Sequence, residues 1–125
     1  MNSEVRGYVE KAERALAAAE TLVHEGYPSD SASRSYYAMF YAAQAALRFH
    51  GVEVIKHSAV ESFFGRDLVK TGRVDAKYHK MLIHARQLRE TADYNIEEEV
   101  TEGVARQTLE NGRAFVSAVK AILPP

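Results

Sequence analysis

Residues 30–51, DSASRSYYAMFYAAQAALRFHG, decide the fold. Tyr36, Phe40, Ala43 and Leu47 recur there at steps of three and four, so they share one stripe of a helix. Tyr37, Tyr41, Gln44 and Arg48 make a second stripe beside it. The first stripe reads as core. The second is aromatic but polar-tipped, which suits the boundary between a core and water, a partner or a ligand. The alanines between the stripes allow neighbouring helices to come close. The stretch therefore reads as the central helix of a small bundle.

The flanking sequence supplies the other rods. Val5, Tyr8, Val9, Ala12, Leu16, Ala19, Leu22 and Val23 form an apolar stripe at helical spacing, which predicts a first helix over 3–25. Asn2 or Ser3 can cap it, and Gly26 reads as its left-handed terminator. Pro28 interrupts continuation, with Ser29 or Asp30 as the next cap. Residues 52–57, VEVIKH, are strand-like but short and isolated, so they read as an extended connector. Ser58 and Glu61 have the spacing of a capping box for a third helix reaching Lys70, with Gly72 as its stop. Asp75 caps a fourth helix reaching Asp93, with Tyr78, Leu82, Ala85, Leu88 and Ala92 inward. Glu97, Glu98 and Glu99 precede Thr101, the cap of a fifth helix that buries Leu109, Phe115, Val116, Val119 and Ile122; negative charge suits that helix start. The reading is all-α: a five-helix up-and-down bundle, one domain over residues 1–125.

Composition narrows the chemistry. A chain of 125 residues buries roughly two-thirds of its unfolded surface without staples. It has no cysteine, which excludes disulfides, zinc–thiolate sites and thiol catalysis, and fits a reducing, cytoplasmic setting. A net charge of −1 exerts no global pull on nucleic acid or anionic membrane. The opening residues are polar and mixed in charge, unlike a secretory leader, and no apolar run is long enough to span a bilayer. His79 and His84 are five apart rather than four, no zinc spacing occurs, and no phosphate loop or nucleophile elbow is present, so neither metal nor cofactor is expected.

The polar residues worth weighing are Arg34, His57, Arg86, Arg89, Asp93 and Tyr94. Arg86, Arg89 and Asp93 share one face of the fourth helix, and two guanidinium groups beside a carboxylate and a phenol can hold a phosphate. The same residues also read as ordinary surface pairs, Arg86 with Glu90 and Arg89 with Asp93, each stabilising a helix by a few tenths of a kcal/mol at about i,i+4. His57 has the chemistry of a general base near neutrality, or of a packing residue before a helix start. Arg34, in the first turn of the central helix, is a cation near the positive end of the dipole, which reads equally as a surface arginine or as one held by a specific anion, and Asp93 is the expected partner. Tyr37 and Tyr41 are expected at a helix–helix or dimer interface. Gly65 and Gly112 fall inside helices and mark close contacts or simple cost. Lys56, Arg66, Lys70, Arg73, Lys77 and Lys80 are scattered as a solvated face or a weak nucleic-acid patch.

Three blocks in this order, SRSYYAMFYAAQAAL (33–47), KHSAVESFFGRDLVKTG (56–72) and QLRETADYN (87–95), resemble the HEPN domain, in its small stand-alone UPF0332-like branch. The resemblance covers roughly residues 3–122. It implies a five-helix bundle that commonly forms homodimers, and a partnership with minimal nucleotidyltransferases in toxin–antitoxin-like pairs. Many HEPN proteins are metal-independent ribonucleases whose motif is an arginine followed four to six residues later by a histidine, paired across the dimer. In one branch the motif continues to a tyrosine that the partner adenylylates. Here Arg89 is followed by Asp93 and Tyr94, with no histidine at that distance. Aspartate does not replace imidazole as a neutral base without a large pKa shift. The resemblance therefore implies a binding module for nucleotide or RNA at Arg34, Arg86, Arg89, Asp93 and Tyr94. The enzymatic alternative is a ribonuclease assembled from His57 and Arg89.

Overall fold

The structure is a computed structural model that describes residues 1–97 and 99–125. It consists of five α-helices, and no strand occurs among the described residues. Helix α1 spans Ser3–His24 and is capped by Asn2, whose Oδ1 accepts from the Val5 N–H at 2.8 Å. Gly26, at φ 89°, turns the chain where a side chain would be strained. Helix α2 spans Pro28–Phe49, longer at its start than the sequence suggests. Pro28 does not break this helix but occupies its first turn, where its missing N–H has no partner to lose. Neither Ser29 nor Asp30 is the cap; the Ser29 hydroxyl instead accepts from the Val100 N–H at 3.3 Å, pinning the approach to the last helix. Arg34 accordingly lies in the second turn rather than the first, away from the strongest part of the dipole.

Residues 52–55 belong to no helix or strand, as expected for a connector. Helix α3, His57–Phe64, starts without a side-chain cap, so the Ser58–Glu61 capping box does not form. Glu61 is taken by Arg86 of the next helix, a charged partner that outcompetes a neutral backbone N–H. The chain then widens into a π-helical turn, Gly65–Val69. Helix α4, Ala76–Tyr94, is capped by Asp75, and α5, Glu102–Ala121, by Thr101, both as read from sequence. Of the glutamate run before Thr101, Glu98 lies outside the described residues.

Helix α2 is the hub: α1, α3, α4 and α5 all pack on it. Its buried alanines, Ala42, Ala43, Ala45 and Ala46 among them, leave room for that many neighbours. The main core joins Tyr36, Met39, Phe40 and Leu47 of α2 to Phe64, Leu82 and Phe115, with a smaller cluster of Ala19, Val23, Ala32, Val100 and Leu109 toward the other end. Phe115 stacks on Phe64 at 5.2 Å and meets the Tyr78 ring edge-on at 6.2 Å. The three-residue connection between α1 and α2 forces them antiparallel. No helix among the described residues is long and apolar enough to cross a membrane.

Candidate functional site

The core stripe of α2 carries one polar tip, and the site grows from it. Tyr36 is almost wholly buried, yet its hydroxyl lies 2.6 Å from Nδ1 of His57 at the start of α3. Burial pushes the Tyr36 phenol well above its usual range, so it stays protonated, and because His57 Nδ1 is its one hydrogen-bond partner among the described residues, the buried proton is satisfied when the phenol donates. His57 is pushed down, first by burial and then by the Arg89 charge, so it is neutral at pH 7. A neutral imidazole has one donor and one acceptor. With Nδ1 accepting from Tyr36, the proton resides on Nε2. The ring is held flat on Phe40, with centroids 4.2 Å apart and planes 10° from parallel.

Arg89 reaches from α4 across the same aromatic group. Its guanidinium lies 5.4 Å from the Tyr36 ring centre and 5.8 Å from that of Tyr37. Nη1 is 3.3 Å from Asp93 and, at the outer limit of a hydrogen bond, 3.5 Å from the Tyr37 hydroxyl. The side chain is only 16% exposed, and its buried Nε–H has no acceptor among the described residues. A buried donor left unmet costs about 1–3 kcal/mol. Arg86, one turn earlier, is fully engaged: it bonds Glu61 at 2.7 Å and Glu90 at 3.0 Å, and these hydrogen bonds raise its pKa further.

These residues border a cleft of about 570 Å³ between α3 and α4, lined by His57, Ser58, Glu61, His79, Arg86 and Arg89 among others. Helix α3 starts at this cleft, with its first residues His57 and Ser58 in the wall and no side-chain cap on its first N–H groups. His79 is fixed on the far wall by a 2.8 Å hydrogen bond from Nε2 to the Glu61 carbonyl. Gly65 makes room for it: a Cβ there would come 2.8 Å from His79 Cε1.

Most of the sequence-predicted residues converge. His57, Arg86 and Arg89 share the cleft, and Asp93 holds Arg89 while accepting from the Ser33 hydroxyl at 3.2 Å. The expected Arg34–Asp93 ion pair does not form; Ser33 takes that place and Arg34 lies over the Tyr37 ring at 4.7 Å. Tyr94 stands apart. One residue past Asp93 is a rotation of about 100° on a helix, and Tyr94 is 76% exposed in a separate groove with Gln87, Thr91 and Ile96. Tyr37 and Tyr41 are partly buried at helix–helix boundaries. Three contributors escaped the sequence reading. Tyr36 reads as core, Glu61 as a cap and His79 as half of a failed metal pair; their roles depend on helices meeting, which no local spacing encodes.

Fold and cleft together define a small helical bundle with an arginine–aromatic site on one flank, and comparison with known proteins gives the class a name. The HEPN domain profile matches residues 5–122, and the chain belongs to that family. A candidate toxin of Methanocaldococcus jannaschii is 32% identical over 120 residues, covering 96% of this chain and 82% of that protein. A second candidate toxin of the same organism is 30% identical over 123 residues, covering 98% and 91%. A UPF0332 protein of Gloeobacter violaceus is 40% identical over 94 residues, 75% of each chain.

Proposed function

We propose that this chain is a single HEPN binding module of the stand-alone kind, the homodimeric partner of a minimal nucleotidyltransferase in a toxin–antitoxin-like pair. In this reading the cleft holds the phosphate of a nucleotide or RNA without cleaving it. The toxin names of two relatives support the setting. The observation that carries the chemistry is the 2.6 Å contact between Tyr36 and His57. It leaves Nε2 as the donor of an imidazole that lines the cleft, in the same wall as the Arg89 guanidinium. Donors beside an uncapped helix start suit an anionic oxygen.

The second reading is a metal-independent ribonuclease, favoured by the convergence of His57 and Arg89 on one cleft. It requires the opposite tautomer, with Nε2 unprotonated as a base, and then the buried Tyr36 proton has no acceptor among the described residues. RNA cleavage by pure protein in EDTA separates the two. The binding reading expects no cleavage by wild type, together with AMP binding that weakens in Arg89→Ala. Cleavage that disappears in both Arg89→Ala and His57→Ala establishes the enzyme instead.

A further inference from the structure

The outward stripe of α2 carries a feature outside the cleft. Arg34 lies over Tyr37 at 4.7 Å, the Tyr37 and Tyr41 rings are 5.9 Å apart, and Lys11 of α1 lies over Tyr41 at 5.0 Å. Arg89 touches the Tyr37 ring from the cleft side. Cations and rings thus form one continuous line from the cleft, along α2, to α1.

Two of the three cations on this line, Arg34 and Lys11, are held by a ring alone, as Lys77 is over Tyr78 elsewhere. Arg48, Arg86, Arg89, Arg113 and Lys120 all have carboxylate partners. Arg34 and Lys11 have none among the described residues; what orients them is the face of a tyrosine. A ring quadrupole positions a cation without neutralising it. The N–H groups remain available to an outside anion, and part of the ordering cost of long side chains is already met in the fold. Two such cations, one on α2 and one on the neighbouring α1, suit anions repeated along a polymer. The line also ends at a cleft large enough for a nucleoside and lined by the rings of His57 and His79, which an acidic peptide has no use for.

We propose that Lys11, Arg34, Tyr37 and Tyr41 form a track for the sugar–phosphate backbone of a single-stranded nucleic acid whose terminal or flipped nucleotide enters the cleft. This rests on the reading of the cleft as a phosphate site. Tyrosines here anchor the cations, and the cations meet the phosphates.

Fluorescence anisotropy with a short labelled oligoribonucleotide, and with the same sequence as DNA, tests this over a range of salt. Binding of either strand type supports the track, and the two affinities tell which sugar it accepts. Lys11→Gln and Arg34→Gln are each expected to weaken binding about three- to tenfold and to reduce the salt slope by about 0.7, the value for one phosphate contact on a single strand. Tyr41→Leu keeps the packing but releases Lys11, so it is expected to weaken binding, with Lys11→Arg on the intact ring retaining it. Unchanged oligonucleotide affinity in Lys11→Gln and Arg34→Gln overturns the proposal. So does competition by polyglutamate as effective as that by unlabelled oligonucleotide, or a loss that follows dimer dissociation in sedimentation. AMP titration keeps the two readings separable. AMP binding that depends on Arg89 while the Lys11 and Arg34 variants hold RNA normally defeats the track alone; AMP binding indifferent to Arg89, with RNA binding still dependent on Lys11, defeats the cleft reading alone.

Discussion

Arg89 sits between two environments with opposite demands. Aromatic faces and Asp93 hold it in place, yet burial leaves its Nε–H unmet. Charged hydrogen bonds are worth about 1.5–3 kcal/mol, so Arg89→Ala is expected to weaken AMP binding by about tenfold or more in isothermal titration, with little change in melting temperature. Arg89→Lys restores the charge but not the planar fork, and is expected to recover only part of the affinity. His57 sets the pH response. Its folded pKa lies below the ordinary 6.5, as does that of His50, which burial and Arg73 depress. Below that ordinary value the unfolded chain binds more protons than the folded one, so stability is fully present above about pH 6.5 and is lost as pH falls through the window beneath it. The urea midpoint is expected to drop between pH 7.5 and pH 5, and His57→Gln to flatten that drop in part, His50 supplying the remainder. An equal drop in the variant contradicts the assignment.

Among the elements, the helices were legible because their signals agree: apolar spacing, the caps Asn2, Asp75 and Thr101, and the glycine stops at positive φ. Local pattern is overridden where a distant segment claims a residue. Glu61 fits a capping box until Arg86 is beside it, and Ser29 fits a cap until the Val100 N–H arrives. The π-helical turn at Gly65–Val69 has no signal in apolar periodicity, although Gly65 itself was visible. The two interior glycines test the difference between close contact and simple cost. A Cβ at Gly65 meets a ring that is pinned to the Glu61 carbonyl and stacked on Phe64, so Gly65→Ala must break that bond or shift α4. Overpacking of this kind costs about 1–3 kcal/mol, more than the roughly 1 kcal/mol gained in helix propensity. At Gly112 the nearest neighbour is the tip of Leu16 at 3.1 Å, a flexible end that can move aside. Gly65→Ala is therefore expected to lower the denaturant midpoint clearly, and Gly112→Ala to leave it nearly unchanged or slightly raised. The reverse order contradicts the packing described for α3 and α4.

At the scale of the molecule, α2 links stability to the site. The Tyr36 side that fills the core also presents the hydroxyl that orients His57, so the hub and the cleft share one residue. Much of the site was therefore readable as a set of residues, His57, Arg86, Arg89 and Asp93, but not as an arrangement, because Arg34 and Tyr94 belong to the same sequence blocks and take up different surroundings. The proposed homodimer is expected to give a concentration-dependent sedimentation coefficient; a monomer at every concentration contradicts it.

On the proposed function, His57 is a hydrogen-bond donor in a ligand cleft shared with Arg89. Long-range proton–nitrogen NMR of the histidine rings, recorded with and without AMP, tests it most directly. The Nε2–H tautomer is expected for His57 in the free protein, with its signals moving on AMP addition in wild type and remaining still in Arg89→Ala. An unprotonated Nε2, or a His57 signal indifferent to AMP in the wild-type protein, contradicts it.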